Sequence, residues 1–171
     1  MSARARLAWV ALGGLLALGI GSLPGPLTAQ DPDLVAKGRR LVEDVADCGE
    51  CHTPLTATGE PDERYHLAGH VAGLPVPTNS AFKDLKGSGA VTYARNLTPD
   101  PETGLGAWSE EEFRRTLKEG VNREGRPLRH PMPWKRFLKA FGDEDIRAIW
   151  AYLRSLPPVK NQVPEAGVPP Q

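Results

Sequence analysis

The stretch DCGECHTP, residues 47–54, decides how this chain is read. It holds both cysteines of the chain, Cys48 and Cys51, and His52 follows directly. Four chemistries compete for such a cluster: a structural disulfide, a redox dithiol, a zinc site, and the attachment of a prosthetic group. A disulfide across two intervening residues closes a tight, strained ring. It also constrains very little chain, and short loops give the least stabilisation. A structural zinc ion takes four ligands, usually from two such pairs, and there is no second cysteine pair. A thioredoxin-like dithiol belongs to a strand-then-helix context within a βαβ unit, which the flanking pattern does not supply.

Residues 1–29 bear on the same choice. Arg4 and Arg6 precede an apolar run from Leu7 to Ile20, and Pro24, Pro26 and the small Ala29 follow. This is the order of a secretory signal peptide. The run is short for a membrane span, which needs roughly 20 apolar residues. The expectation is export by a cleaved signal, or a membrane anchor if the segment is retained. In an exported chain, C-x-x-C-H is the attachment signature of haem c. The thiols of Cys48 and Cys51 add to the two vinyl groups of the macrocycle, and the adjacent His52 reaches the iron. One motif and no internal repeat predict one covalent haem and one iron.

The charge balance excludes other classes. Lys and Arg number 21, as do Asp and Glu. Residues 1–29 contain two arginines and no acid, which leaves the remainder close to neutral. No basic face invites nucleic acid, and no acidic tail is present. Docking to a partner must then rely on a local patch and not on a strong global field.

Four segments carry helical periodicity. The first runs from about Asp33, as N-cap, to Ala46, with Leu34, Gly38, Leu41, Val42 and Val45 on one face. Gly38 on that face predicts close approach of another helix, since glycine otherwise weakens a helix. The second runs from Ser109 to Glu119. Ser109 and Glu112 form a capping box, Trp108 is placed to staple Phe113, and Gly120 closes the helix. The third spans Trp134 to Phe141. The fourth starts at an Asp143 cap, carries Ile146, Ile149, Tyr152, Leu153 and Leu156 on one side, and stops at Pro157 and Pro158. Between the first two, residues 53–107 are rich in Gly, Pro, Thr and Asn without strand alternation. So long a loop is unusual in a small domain, unless it wraps a large apolar body such as a haem. The expected organisation is a signal segment 1–29, one all-α domain over 30–158, and a Pro-rich extended tail over 159–171.

Iron held by His52 needs a sixth ligand or keeps an open position. Met132 is the one methionine outside residues 1–29. It lies in HPMPW, between Pro131 and Pro133, which fix φ and remove N–H groups. A methionine used as core filler usually lies at helical spacing among apolar residues, and Met132 does not. The His/Met pattern of cytochromes c then selects Met132 as the distal ligand, 80 residues after His52. His130, two residues earlier, and His66 and His70 in YHLAGH are the rival ligands. As loop residues, they also suit solvation or ordinary hydrogen bonding.

With these residues in hand, the sequence resembles class I cytochromes c. In particular, it is similar to the monohaem domains of the cytochrome subunits of bacterial membrane-bound alcohol and gluconate dehydrogenases. The segments that carry the likeness are CGECHTP, LAGH, ARNLTPDPETGLGAWSEEEFRRTLKEGV, GRPLRHPMPW and DEDIRAIWAYLRSLPPV, in family order. The resemblance implies the cytochrome c fold, in which the helix with Gly38 crosses the helix with Tyr152 above the haem crevice. It implies thioether links at Cys48 and Cys51, proximal His52 and distal Met132. It also implies electron transfer without catalysis, in a periplasmic or extracytoplasmic respiratory chain. A dehydrogenase would be the donor, and an oxidase or another cytochrome the acceptor.

Overall fold

The computed structural model describes residues 31–71, 74–75, 91–129 and 131–164. The expected signal segment 1–29, the rival ligand His130 and the end of the tail lie outside these. The described elements run in the order α1 (Pro32–Arg40), a π-helical turn (Leu41–Val45), α2 (Cys48–His52), a 3-10 turn (Glu63–Tyr65), β1 (Leu74–Pro75), β2 (Val91–Thr92), α3 (Glu110–Glu119), α4 (Trp134–Ala140) and α5 (Asp143–Ser155). The strands are two residues each and pair antiparallel, Leu74 with Thr92 and Pro75 with Val91. The domain is all-α, as expected. The helix absent from the expected four is α2, the single turn that carries the cysteine motif.

The first helix begins earlier than expected and changes pitch. Asp31, not Asp33, is the N-cap; its carboxylate accepts from the Asp33 N–H at 3.0 Å, with Pro32 at the first helical position. Leu41–Val45 then form the π-turn, closed by the Ala46 N–H on the Leu41 carbonyl at 2.9 Å. A π-turn holds more residues than an α-turn, so the apolar face slips out of register. Leu41 and Val42 are buried, whereas Val45, expected on the same face, is 55% exposed.

The other caps follow the sequence closely. In α3 the Glu112 N–H donates to Ser109 Oγ at 3.2 Å, and the Ser109 N–H donates to the Glu112 carboxylate at 2.8 Å. Gly120 ends α3 at φ 70°, and a Cβ there would run into the Trp134 ring. In α5 the cap shifts by one: Gly142 is the N-cap, and its N–H donates to the Asp145 carboxylate at 3.0 Å.

The core lies where α1 crosses α5. Gly38 is buried against the Ala148 backbone and the Tyr152 Cβ, so closely that a Cβ at position 38 would overlap the Ala148 carbonyl. The close approach expected from Gly38 is therefore present. Val42, Ile146, Ile149 and Leu153 fill the interface, and Phe113, Leu117 and Phe141 extend it towards α3 and α4. A Lys37–Asp145 ion pair of 2.9 Å spans the same crossing at its half-exposed rim.

The described part of the long middle segment is held by side chains that act as backbone surrogates. Asn96, 2% exposed, donates from Nδ2 to the Thr103 hydroxyl and to the Val159 carbonyl, and its Oδ1 accepts from the Thr98 N–H and hydroxyl. Residues 159–164 continue without helix or strand and pack onto this hub. Asn161 Nδ2 donates to the carbonyls of Ala68 and Gly69 at 2.9 and 3.0 Å, and Val163 is buried. The described part of the expected tail, residues 159–164, thus lacks helix and strand and packs against the folded residues.

Candidate haem site

Asp47 sits in the left-handed region at φ 48° and turns the chain into α2. Within that single turn Cys48, Cys51 and His52 occupy positions i, i+3 and i+4, which share one face of a helix. Cys48 is half-buried against the core cluster, Cys51 is half-buried, and His52 is buried. The order of the motif is thus converted into a thiol pair on the rim and an imidazole inside.

The imidazole is fixed by the loop opposite. His52 Nδ1 lies 2.7 Å from the carbonyl oxygen of Arg95. A carbonyl can only accept, so Nδ1 carries the proton and donates. Nε2 is left with its lone pair, which is the form that binds a metal, and an outer hydrogen bond of this kind orients a metal-binding imidazole. Burial pushes the His52 basicity down, although the Arg95 carbonyl partly opposes this. The ring is therefore neutral and ready as a ligand.

The thiols point to the same use. Burial pushes the Cys48 thiol up to about 12, with the Glu43 and Asp47 carboxylates adding to it. Burial, then Glu50, raises Cys51 as well. A redox dithiol needs a lowered thiol pKa, so the environment opposes that alternative. Two protonated thiols and one oriented imidazole on a single turn fit a covalently attached haem and its iron.

The walls around His52 come from residues that the motif does not reveal. The Gly69 N–H donates to the His52 carbonyl at 2.7 Å, and the Leu67 N–H donates to the Thr53 hydroxyl at 3.0 Å. The Leu97 N–H donates to the Leu67 carbonyl, and the His70 N–H to the Ala94 carbonyl. Gly69, at φ 94°, allows this approach; a Cβ there would lie 2.6 Å from Val163 Cγ2 and 2.8 Å from the Asn96 nitrogen. Arg95 escapes sequence reading because it acts through its carbonyl, which every residue has.

Met132 is half-buried and packs against the same apolar cluster as Cys48. Its N–H donates to the Arg129 carbonyl at 3.1 Å, which makes a turn of the proline-flanked strap just before α4. The structure thus brings Met132 and Cys48 to one cluster. The other described histidines have different surroundings. His66 Nε2 pairs with Glu43 Oε1 at 2.9 Å. His70 is 8% exposed, burial lowers its basicity, and its Nδ1 has no partner among the described residues.

A crossing of terminal helices, a C-x-x-C-H turn between them and an imidazole held by a loop carbonyl define a class of haem proteins. The chain belongs to the cytochrome c family, whose family model matches residues 35–157. It is an electron carrier with covalently bound haem c and its iron, and Cys48 and Cys51 fit the attachment site.

Relatives narrow the likeness. The chain is 35% identical over 131 residues to one of the subunits that make up the nicotinate dehydrogenase of Pseudomonas putida, covering 77% of this chain and 9% of that protein. It is 31% identical over 161 residues to the cytochrome c subunit of the quinone alcohol dehydrogenase of Gluconobacter oxydans, covering 91% of this chain and 28% of that protein. It is 29% identical over 158 residues to the gluconate 2-dehydrogenase cytochrome c subunit of Pantoea cypripedii, covering 91% and 31%. The chain therefore spans from under a tenth to under a third of the length of these relatives.

Proposed function

We propose that this chain is a single-haem, one-electron carrier whose iron is held between His52 and Met132, and that it accepts electrons from a dehydrogenase outside the cytoplasm. The observation that carries the reading is the 2.7 Å bond from His52 Nδ1 to the Arg95 carbonyl, which reserves Nε2 for a metal on the turn that bears both thiols. Bound haem supplies a reversible ferric/ferrous couple. The chain's own residues do the rest. Cys48 and Cys51 hold the group covalently, so it is not lost between partners. His52 is held in orientation by the Arg95 carbonyl, and its burial disfavours the protonated ring. Met132, on a strap stiffened by Pro131 and Pro133, offers a thioether, which favours the reduced state over a second imidazole. With His52 and Met132 both holding the iron, no site would remain for oxygen or substrate, and the protein would transfer electrons without catalysing a reaction itself.

The dehydrogenase partner is supported by the relatives named above, two of which are cytochrome subunits of such enzymes. An oxidase or a further cytochrome is the matching acceptor. The extracytoplasmic setting is supported by the signal-like order of residues 1–29. No helix among the described residues is long and apolar enough to cross a membrane. The apolar run Leu7–Ile20 is the segment that would anchor the protein if it is retained. The test is an optical spectrum of the oxidised and reduced protein, with carbon monoxide added to the reduced form. A weak long-wavelength sulfur-to-iron band and slow, partial carbon monoxide binding are expected. Rapid binding at full occupancy would replace this reading with that of a haem protein with an open sixth site. Co-purification of a stoichiometric flavin, quinone or molybdenum partner would mark a fixed subunit and not a free shuttle.

A further inference from the structure

Exposed charge is unevenly placed on this chain. Residues 123–139 hold six basic side chains and one acidic one, in a chain whose basic and acidic residues balance. Helix α4 carries the densest part: Lys135, Arg136 and Lys139 are all exposed. Lys135 and Lys139 lie one turn apart, and Arg136 and Lys139 three residues apart, so the cations share one side of the helix. The other side is used in packing. The Trp134 ring lies against Gly120, and Phe137 stacks on Phe141 with ring centroids 5.5 Å apart. Leu138, 40% exposed, stands at the edge of the charged face.

Like charges at this spacing repel and weaken a helix. Other cations of the region are compensated within the chain: Lys118 pairs with Asp143 at 3.1 Å, and Arg123 with Glu112 at 3.0 Å. Among the described residues no carboxylate pairs with Lys135, Arg136 or Lys139, and Lys135 lies instead 5.6 Å from the centre of the Trp134 ring.

We propose that this face of α4 is where the chain docks its redox partner, and that the partner meets it with an acidic patch. The proposal deepens the electron-carrier reading and rests on it. Met132 lies two residues before Trp134 and packs against the same apolar cluster as Cys48, so a partner seated on α4 is brought beside the core that carries the cysteine motif. The turn with the thiols has the opposite sign. From Leu41 to Cys51 the chain holds Glu43, Asp44, Asp47 and Glu50 and no Lys or Arg, and the last three acids are exposed. An acidic partner is therefore repelled from the thiol rim and drawn to α4, which selects one orientation. Leu138 supplies an apolar contact within the charged surround, as at other protein interfaces. An anionic lipid surface would meet the same charges. However, Leu138 is the one large apolar side chain that α4 exposes, and a helix that lies in a lipid interface needs a broad apolar face to bury.

The test uses the haem-loaded protein, with an acidic blue-copper protein as the probe. Stopped-flow mixing of the reduced protein with the oxidised probe gives a rate constant, read against salt concentration. The rate should fall as salt rises, because salt screens attraction between exposed charges. Combining Lys135→Gln, Arg136→Gln and Lys139→Gln should lower the low-salt rate by roughly tenfold and flatten its salt dependence, with the optical spectrum unchanged. Lys160→Gln, at an exposed lysine paired with Glu102, should keep the original rate. Amide NMR of the protein with the zinc-substituted probe should show shifts in α4 and not in Cys48–His52. An original rate and salt dependence in the triple variant, or shifts centred on Cys48–His52, would overturn the proposal. So would sedimentation with phosphatidylglycerol vesicles at about 0.15 M salt that the triple variant loses, because the occupant would then be a membrane. Failure here is separable from failure of the electron-carrier reading. A protein without a reversible haem spectrum defeats that reading, whereas a triple variant that behaves like the original defeats only the docking face.

Discussion

His52 and Arg95 are joined by a 2.7 Å hydrogen bond from a ring nitrogen to a main-chain oxygen. The partner of the His52 imidazole is thus independent of the side chain at position 95. In the His52/Met132 reading proposed above, tuning of the iron by side-chain substitution would fall instead to Met132.

Met132→Ala removes the proposed distal ligand without touching the thiols. Covalent haem should remain, the sulfur-to-iron band should disappear, and the potential should fall by on the order of 0.1 V, a modest part of the ~0.8 V that axial ligation spans. Spectroelectrochemistry of the variant is the check. An unchanged potential and spectrum would remove Met132 from the iron.

Gly38→Ala should be severe. A Cβ at position 38 meets the Ala148 backbone, which cannot rotate away, and lies 2.8 Å from Tyr152 Cβ. Overpacking of this kind costs about 3 kcal/mol or more where backbone must shift. Ser109→Ala, by contrast, loses one capping bond at an exposed helix start and should cost about 1 kcal/mol. Urea unfolding of both variants measures the ratio.

How much of this could be read in advance varies with the kind of interaction. The thiol pair, His52 and the crossing at Gly38 were legible, because each depends on a side chain, or on the lack of one, at a defined spacing. The capping box of Ser109 and Glu112 was legible for the same reason. The Arg95 carbonyl was not, since backbone acceptors leave no mark on composition. Nor was the π-turn, which is one extra residue in an otherwise helical pattern; it moved Val45 off the apolar face that periodicity assigned to it. Leu67 in the left-handed region at φ 56° runs against the preference of its residue type and is set by the contacts around it. The pairing of Glu43 with Tyr152 spans 109 residues and carries no local signal.

Asn161→Ala tests whether residues beyond Pro158 belong to the folded unit. The amide is the donor that the structure places on the Ala68 and Gly69 carbonyls, next to the residues that brace His52. Its loss should cost about 1–3 kcal/mol. Hydrogen exchange should quicken at Leu67 and Gly69 while the α5 amides keep their protection. No change at either position would show that these residues do not brace the fold.

Acid should destabilise the protein through its carboxylates. Arg64 holds Asp62 below the usual range, the Thr103 hydroxyl and N–H do so for Asp100, and Arg114 does so for Glu111. The Ser109 N–H lowers Glu112, and Lys37 lowers Asp145. In each case the folded value lies below the unfolded one, so the unfolded chain binds more protons as pH falls. The contribution is complete above the ordinary carboxylate range of about 4 and is lost as pH drops through and below it. Thermal melting followed by circular dichroism should show a steady Tm near neutrality and a decline below about pH 4.5. A flat Tm down to about pH 3 would contradict it.

The crossing of α1 over α5 has a temporal consequence as well. Gly38 and Ala148 lie 110 residues apart in the chain, so the largest helix interface is also among the most distant in sequence. Contacts of such separation form late, because the intervening chain must first be brought together. On a ribosome, α1 has no surface to rest on until Asp143–Ser155 arrives. Until then the burial that shields Cys48 and holds His52 is incomplete, and both thiols stay open to chemistry. The last helix to be made is thus the one that completes the packing around the turn that carries both thiols.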